Sequence, residues 1–423
     1  MKFLLTLAWK NLFRYGRRTV ITAAALAVGI AAYIWIDGWL LGAERESERN
    51  IIWYEAGSAK IMDADYAEDL KAMPLKQAIE DPAAVESAIA GLGLEHTRRI
   101  RFAGELFFEE GSLMVQGIGV DPATDERVFR LAETVAEGTY LGQGDSGGQG
   151  AGAGQDSEAG ALLGRWLAED LGAEVGDLIE IRTRTRYGAF QTIELVVTGI
   201  MDSPNPVVNQ GTVFMPLSLV DESLEMEGAV SEIALYFPEW QEPGERLAQI
   251  RGALSSFPRL TVLSWRELAR DFLLIAQAKT AGSSIILLLV FIIAAVGISN
   301  TMLMAVFERV REIGMMRAMG MKDGSIRLAF LFEAGGIGLI GSVGGLALGA
   351  ALNFYMVRVG IDLGALFGDM EIGYRVHSVF RAAWHPQALI GGLVFGVLAS
   401  MVVSFIPSSR ALKLGITDCL RYQ

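Results

Sequence analysis

Four long apolar runs dominate the hydrophobicity pattern, at residues 19–41, 283–307, 328–357 and 388–406. Each is about as long as the ~20-residue helix needed to cross the hydrocarbon core of a bilayer. Between the first two runs the period changes. Residues 98–121 and 177–202 alternate apolar and polar positions, with breaks near Glu110-Gly111 and at Tyr187-Gly188, which predicts two strand pairs. Residues 231–265 read as strand, amphipathic helix and strand, a β-α-β unit expected to return onto the block at 56–141. The first apolar run continues as a helix through the polar stretch up to Gly57, and 265–282 leads helically into the second, so two stalks are expected. At the start, Phe3, Leu4, Leu7, Leu12 and Phe13 lie opposite Lys10, Arg14 and Arg17, the pattern of a helix lying in the headgroup layer.

The fold class predicted is an α-helical membrane protein with four transmembrane helices and a large α+β extracytoplasmic domain between the first and second. Charge orients it. Lys2, Lys10, Arg14, Arg17 and Arg18 precede the first run without an acid, and Arg410, Lys413 and Arg421 follow the last beside Asp418 alone. Basic flanks face the cytoplasm, so both termini of this multi-pass chain are expected there. Residues 43–279 hold 40 acids against 20 Lys plus Arg, more than the whole net charge of −13. Such a surface is solvated and repels nucleic acid, whose phosphates need a positive face. The first run is too long for a secretory h-region and is expected to stay as an anchor. Cys419 is the only cysteine, so the outer domain is expected to hold together by its core alone.

The boundaries follow. A cytoplasmic amphipathic segment (1–18) precedes transmembrane helix 1 (19–41) and the extracytoplasmic domain with its stalks (42–282). Within that domain the Gly-rich stretch 142–160 cannot bury enough surface to offset its ordering entropy and is expected to be a disordered loop. Helix 2 (283–307), a cytoplasmic turn (308–327), helix 3 (328–357), an outer loop (358–387), helix 4 (388–406) and a cytoplasmic tail (407–423) complete the chain.

The turn is the most informative segment. It carries Glu308, Arg309, Arg311, Glu312, Arg317, Lys322, Asp323 and Arg327, with five bases against three acids, in a short amphipathic pattern suited to docking against an ATPase. In helix 3, Gly341, Gly345 and Gly349 recur every fourth residue, and Gly392 and Gly396 do so in helix 4. Small residues at that spacing let membrane helices approach closely. Glu333, near the inner end of helix 3, is expected at headgroup level beside Arg327 or Arg309. Asp37 is expected near the outer end of helix 1. Trp35, Trp39 and Phe272 mark a candidate lipid or substrate groove between helices 1 and 2. His96, His377 and His385 lack metal-ligand spacing, and no G-x-S-x-G elbow or P-loop occurs. No catalytic, cofactor or metal site is therefore expected in this chain, and ATP-driven work would need a separate polypeptide.

Glu308-Arg309-Val310-Arg311-Glu312-Ile313-Gly314, followed by Arg317-Ala318-Met319-Gly320, resembles the turn motif of ABC permeases of the MacB, LolC/LolE and FtsX type. Segments 7–22, 160–181 and 197–218 resemble other parts of the same family, whose order of spans the chain repeats. The resemblance implies a two-lobed outer domain, with a porter-like βαβ lobe and a β-rich lobe. It implies a dimer with a second permease copy or paralogue, and two cytoplasmic ATPase subunits that bring ATP and Mg. Outer-domain motion then does the work, without a pore between the spans. Glu308, Arg309, Arg311, Glu312, Ile313, Gly314, Met315, Met316 and Arg317 would form the ATPase-coupling helix. A separate ATPase and a large outer domain match best the LolC/LolE branch, which releases lipoproteins to a periplasmic carrier. MacB-like export or FtsX-like regulation of cell-wall hydrolases is the alternative. The hairpin 182–193 departs from LolC in being short and without proline, so the resemblance implies either a LolE-like partner or a chain that does not recruit the periplasmic carrier.

Overall fold

The computed structural model describes residues 16–142, 159–275, 307–362 and 379–412, with Cys419 and scattered positions between 288 and 304. The expectations for the N-terminal amphipathic segment, the Gly-rich loop, most of the second span and most of the outer loop and tail lie outside these residues. The chain forms two compact units, one built chiefly from Glu46–Leu274 and the other from the segments on either side.

In the α+β unit ten strands form one sheet: β1 (Ala59–Asp63), β2 (Glu95–Phe108), β3 (Gly111–Val120), β4 (Val135–Gly138), β5 (Gly160–Gly164), β6 (Leu178–Arg184), β7 (Phe190–Met201), β8 (Thr212–Pro216), β9 (Glu232–Tyr236) and β10 (Leu260–Ser264). The hairpins expected at 98–121 and 177–202 are β2–β3 and β6–β7, with Gly188 at φ +89° in the second turn.

Strand order separates two lobes. β10, β1, β9 and β2 lie side by side, all antiparallel. Helix Pro82–Ile89 lies between β1 and β2 in the chain, and helix Gly244–Ala253 between β9 and β10. This is the split β-α-β arrangement of ferredoxin-like folds. Asp81 begins the first helix by accepting from the Ala84 backbone N–H, with Pro82 at the first helical position, where no N–H is needed. Val85, Ile89, Leu247 and Ile250 pack on one sheet face, against Ile61, Ile100, Ile233 and Val262.

The second lobe closes on itself. β2 pairs with β3, β3 with β8, β8 with β5, β5 with β7, β7 with β6, and β6 returns to β2. These six strands form a small barrel, which leaves no open edge. β2 belongs to both lobes: residues Glu95–Arg99 pair with β9, and Glu105–Phe107 with β6. Gly104 stands between these stretches, where a Cβ would lie 2.7 Å from Ile181 Cγ2. Leu106, Ile179, Ile181, Leu195 and Val213 are fully buried, so the barrel is a packed core.

Three helices in the described residues are long and apolar enough to cross a membrane: Thr19–Ala56, Asp323–Arg358 and Pro386–Ser409. The fourth expected span, 283–307, falls mostly outside the described residues. The N-terminal helix runs unbroken over Gly16–Ile51 and ends in a π-turn, Ile52–Ala56, at Gly57. Gly57 adopts φ 67° and ψ −169°, backbone that glycine alone enters readily. At the foot of this helix Ile52 and Ala56 pack on Trp265, whose indole N–H donates to the Trp240 carbonyl at 2.8 Å. Trp265 opens its own helix through a capping box between Ser264 and Glu267.

Candidate functional site

Within the membrane unit the glycine stripe meets the N-terminal helix. A Cβ on Gly341 would lie 2.8 Å from the Ala23 carbonyl, one on Gly345 2.7 Å from that of Ala27, and one on Gly349 3.1 Å from Ala31 Cα. Ala23, Ala27 and Ala31 repeat the same fourfold spacing on the facing helix, a small-residue signal the sequence reading passed over. Gly396 abuts Ser342 and Ile30 with no room for a side chain, whereas at Gly392 a methyl would make ordinary 3.5 Å contacts. Gly392 is therefore not a point of close approach.

The charged turn is built from helix Val310–Ala318, a bend at Gly320 with φ +87°, and the start of helix Asp323–Arg358. Arg317 Nε donates to Asp323 Oδ1 at 3.1 Å across that bend. The nine residues expected to couple to an ATPase divide by face. Glu308, Arg311 and Met315 are exposed, and Glu312, Met316 and Arg317 are half-buried. Arg309, Ile313 and Gly314 turn inward. Ile313 packs with Ile326, Phe330 and Leu412, so its apolar surface is spent inside the chain.

Arg309 is 3% exposed and faces Glu333, which is 6% exposed. Its Nη1 donates to both carboxylate oxygens, at 2.9 and 3.2 Å. A carboxylate among apolar helices requires a cation. The structure thus gives Glu333 to Arg309, while the Arg327 guanidinium lies 5.0 Å from the Phe405 ring centre. Asp37 Oδ2 lies 2.6 Å from His385 Nδ1.

The aromatic groove is only partly visible. Trp35 is exposed and Trp39 half-buried on the N-terminal helix, and Phe272 is exposed on the other unit. Most of the span that would complete the groove lies outside the described residues.

Sequence reasoning also missed a charged cluster inside the α+β unit. On the sheet face away from its two helices, Lys60, Arg99 and Glu232 are at most 1% exposed. Lys60 Nζ donates to both Glu232 oxygens at 2.8 and 3.0 Å, and Arg101 Nη1 is 3.7 Å from the same carboxylate. Arg99 makes a two-pronged bond to Asp125 at 2.8 and 2.9 Å and lies 3.4 Å from the Phe129 ring centre. Burial, reinforced by the charge of Arg101, pulls the Lys60 ammonium down to about 8 against the opposing pull of Glu232. Burial pushes Glu232 up, but Lys60 and Arg101 outweigh it and hold the carboxyl below its usual range. The period-2 pattern alone could have flagged Lys60, Arg99 and Arg101 as a charged stripe, though not as buried.

A half-open groove of about 560 Å³ runs past Glu86, Arg98, Asp121, Thr124 and Asp221. Its carboxylates are already engaged: Glu86 with Arg98 at 2.7 Å, Asp121 with Ala123 N and Thr124, and Asp221 with Gly228 N. Among the described residues no group of His, Cys, Asp or Glu could hold a metal ion.

Residues 19–256 match the MacB-like periplasmic core domain, and residues 284–416 match the FtsX-like permease C-terminal family. The chain belongs to this permease family. Among its relatives, the lipoprotein-releasing system transmembrane protein LolC of Neisseria meningitidis is 24% identical, over 96% of this chain and 94% of that protein. An uncharacterized ABC transporter permease of Methanocaldococcus jannaschii is 24% identical, over 60% of this chain and 59% of its own length. The pyoverdine export ATP-binding/permease protein PvdT of Pseudomonas aeruginosa is 32% identical, but over only 35% of this chain and 20% of that protein. Among solved structures, the periplasmic region of MacB from Actinobacillus actinomycetemcomitans aligns at 12% identity and a TM-score of 0.37, covering 53% of this chain and 95% of that one. The permease is thus a membrane protein of the ABC transporter class, of MacB/LolC/FtsX type, and members of that class work with cytoplasmic ATPase subunits.

Proposed function

We propose that this permease is the transmembrane subunit of an ABC system that lifts lipoproteins out of the bacterial inner membrane. A separate cytoplasmic ATPase, carrying ATP and Mg, docks on the exposed side of helix Val310–Ala318, and its closure moves the α+β domain on the outer side. Both termini are cytoplasmic, and the working unit contains a second permease copy or paralogue. One observation carries the lipoprotein reading: the alignment with LolC runs almost end to end in both chains, whereas that with the export protein PvdT is confined to about a third of this one. Sequence identity in the shorter alignment is higher, 32% against 24%, and this favours MacB-like export as the second reading. Regulation of cell-wall hydrolases, the FtsX-like role, is a further outcome of the same test.

The docking reading draws on the exposed set Glu308, Arg311 and Met315, a mixed charged and apolar face suited to a protein groove. The test is affinity purification of the full chain from native membranes in mild detergent, with mass spectrometry of what accompanies it. A P-loop ATPase together with acylated lipoproteins is the expected result. An ATPase with a periplasmic adaptor or a hydrolase, and no lipoprotein, would replace lipoprotein release with export or regulation. No ATPase at all would sink the docking reading.

A further inference from the structure

The buried ion pair at the turn has a role that docking alone does not require. Helix Val310–Ala318 is short, and an isolated helix of that length is marginal in water. A force applied to it would be lost in local bending unless the helix were fixed to something longer. Several contacts hold it, among them the Arg317–Asp323 bond at the bend and the packing of Ile313 with Leu412, and two of them reach further along helix Asp323–Arg358. Ile313 packs with Ile326 and Phe330, and Arg309, at the head of the short helix, reaches Glu333 a further turn along.

The apolar contact can slide, because dispersion is not directional. The ion pair cannot. Its charges are almost wholly out of water, so separating them gives up a buried, charge-assisted bond with a defined geometry. Just beyond Glu333, Gly335 and Gly338 meet Met401 and Ser400 of the C-terminal helix. Further along, Gly341, Gly345 and Gly349 lie against the N-terminal helix. The pair therefore anchors the turn where the glycine-rich helix begins its close contacts.

We propose that Arg309 is a positioning residue. Its salt bridge to Glu333 locks the turn helix to the glycine-rich helix, so that the two move as one rigid lever. The inference rests on the reading that the turn meets an ATPase, and it moves Arg309 from the docking surface into the transmission.

The test uses the full chain in nanodiscs, with nitroxide labels at two exposed positions, Met319→Cys at the C-terminal cap of the short helix and Val343→Cys on the glycine-rich helix, while buried Cys419 stays in place. Double electron–electron resonance reads the distance between labels with and without the co-purifying ATPase and a non-hydrolysable ATP analogue. The parent chain should give one narrow distribution in both states. Arg309→Met and Glu333→Gln should broaden it and reduce the response of ATP hydrolysis to the permease by about tenfold, the factor that 1.4 kcal/mol converts to. The ATPase should still co-purify with both variants. Arg311→Glu, on the exposed face, should do the reverse, losing the ATPase while the distance stays narrow.

A narrow distribution and an unchanged hydrolysis response in Arg309→Met would overturn the proposal. If the single variants fail to insert, the exchanged pair Arg309→Glu with Glu333→Arg decides the matter. A narrow distribution is expected there, and a broad one overturns the idea. If the parent chain recruits no ATPase, the docking reading fails by itself, while the label distances still judge the lock.

Discussion

Replacing Glu232 by Gln removes the carboxylate that neutralises Lys60 and leaves the shape of the site almost unchanged. Lys60 is 1% exposed and its ammonium donates two bonds to Glu232, so the substitution strands a buried cation beside Arg101 and Arg99. Breaking one side of a buried pair costs about 3–5 kcal/mol. Lys60 has an escape route, because it can give up its proton. With its folded pKa at about 8, that costs about one pH unit at neutral pH, or roughly 1.4 kcal/mol. The expected loss therefore lies between that escape cost and the low end of the unrelieved range, about 1.4–3 kcal/mol. For a unit of this size, at about 2 °C per kcal/mol, the melting temperature falls by roughly 3–6 °C. Calorimetry of the full chain in nanodiscs, following the transition of the α+β unit, measures it. The double variant Lys60→Met with Glu232→Leu removes both charges, and Arg101 keeps its bond to Gln116 at 3.0 Å. It should melt within about 1 kcal/mol of the parent or above it. A Glu232→Gln loss below about 1 kcal/mol, or a double variant as unstable as the single one, would refute the reasoning.

The same cluster sets a pH dependence with a definite sign. The Lys60 pKa is lower in the folded chain, about 8 against 10.5, so above pH 8 the unfolded chain holds a proton the folded one has lost, and stability rises with pH. Tyr66, raised by burial above 10.0, reverses the trend at higher pH because the unfolded chain then loses its proton first. Urea titrations should show a gain of about 2–3 kcal/mol between pH 8 and 10, absent in Lys60→Met. At the acid end, the lowered Glu232 pKa means that its contribution is complete above the ordinary carboxylate range and is lost as pH falls through the folded value. Gly345→Leu should separate the glycine-rich and N-terminal helices, since even a Cβ there would sit 2.7 Å from the Ala27 carbonyl. A core overpacked in this way typically loses about 1–3 kcal/mol, readable as a lower melting temperature, whereas Gly392→Ala should cost little. Trp265→Ala should lose about 3–5 kcal/mol, because the indole is fully buried at the foot of the N-terminal helix and bonded to Trp240.

Much of the site was legible in the sequence because local pattern controls it. Four-residue glycine spacing, the charged turn between apolar runs, and the helix continuing to Gly57 all follow from the geometry of a single helix. Both hairpins were legible through alternation and turn residues. Glu333 announced a need for a cation, but two arginines were close enough in sequence to supply it.

What the tertiary structure decided were the choices among distant partners. Arg309 and Ile313 look like docking residues in a helical pattern, yet both face inward, because Glu333 and Phe330 lie on the next helix at matching height. Closure of the barrel depends on β6 meeting β2, a pairing between residues some 75 positions apart that no local periodicity encodes. Burial of Lys60, Arg99 and Glu232 is likewise set by what covers that face of the sheet. A strand's alternation says which residues share a side, and only the assembled fold says whether that side meets water.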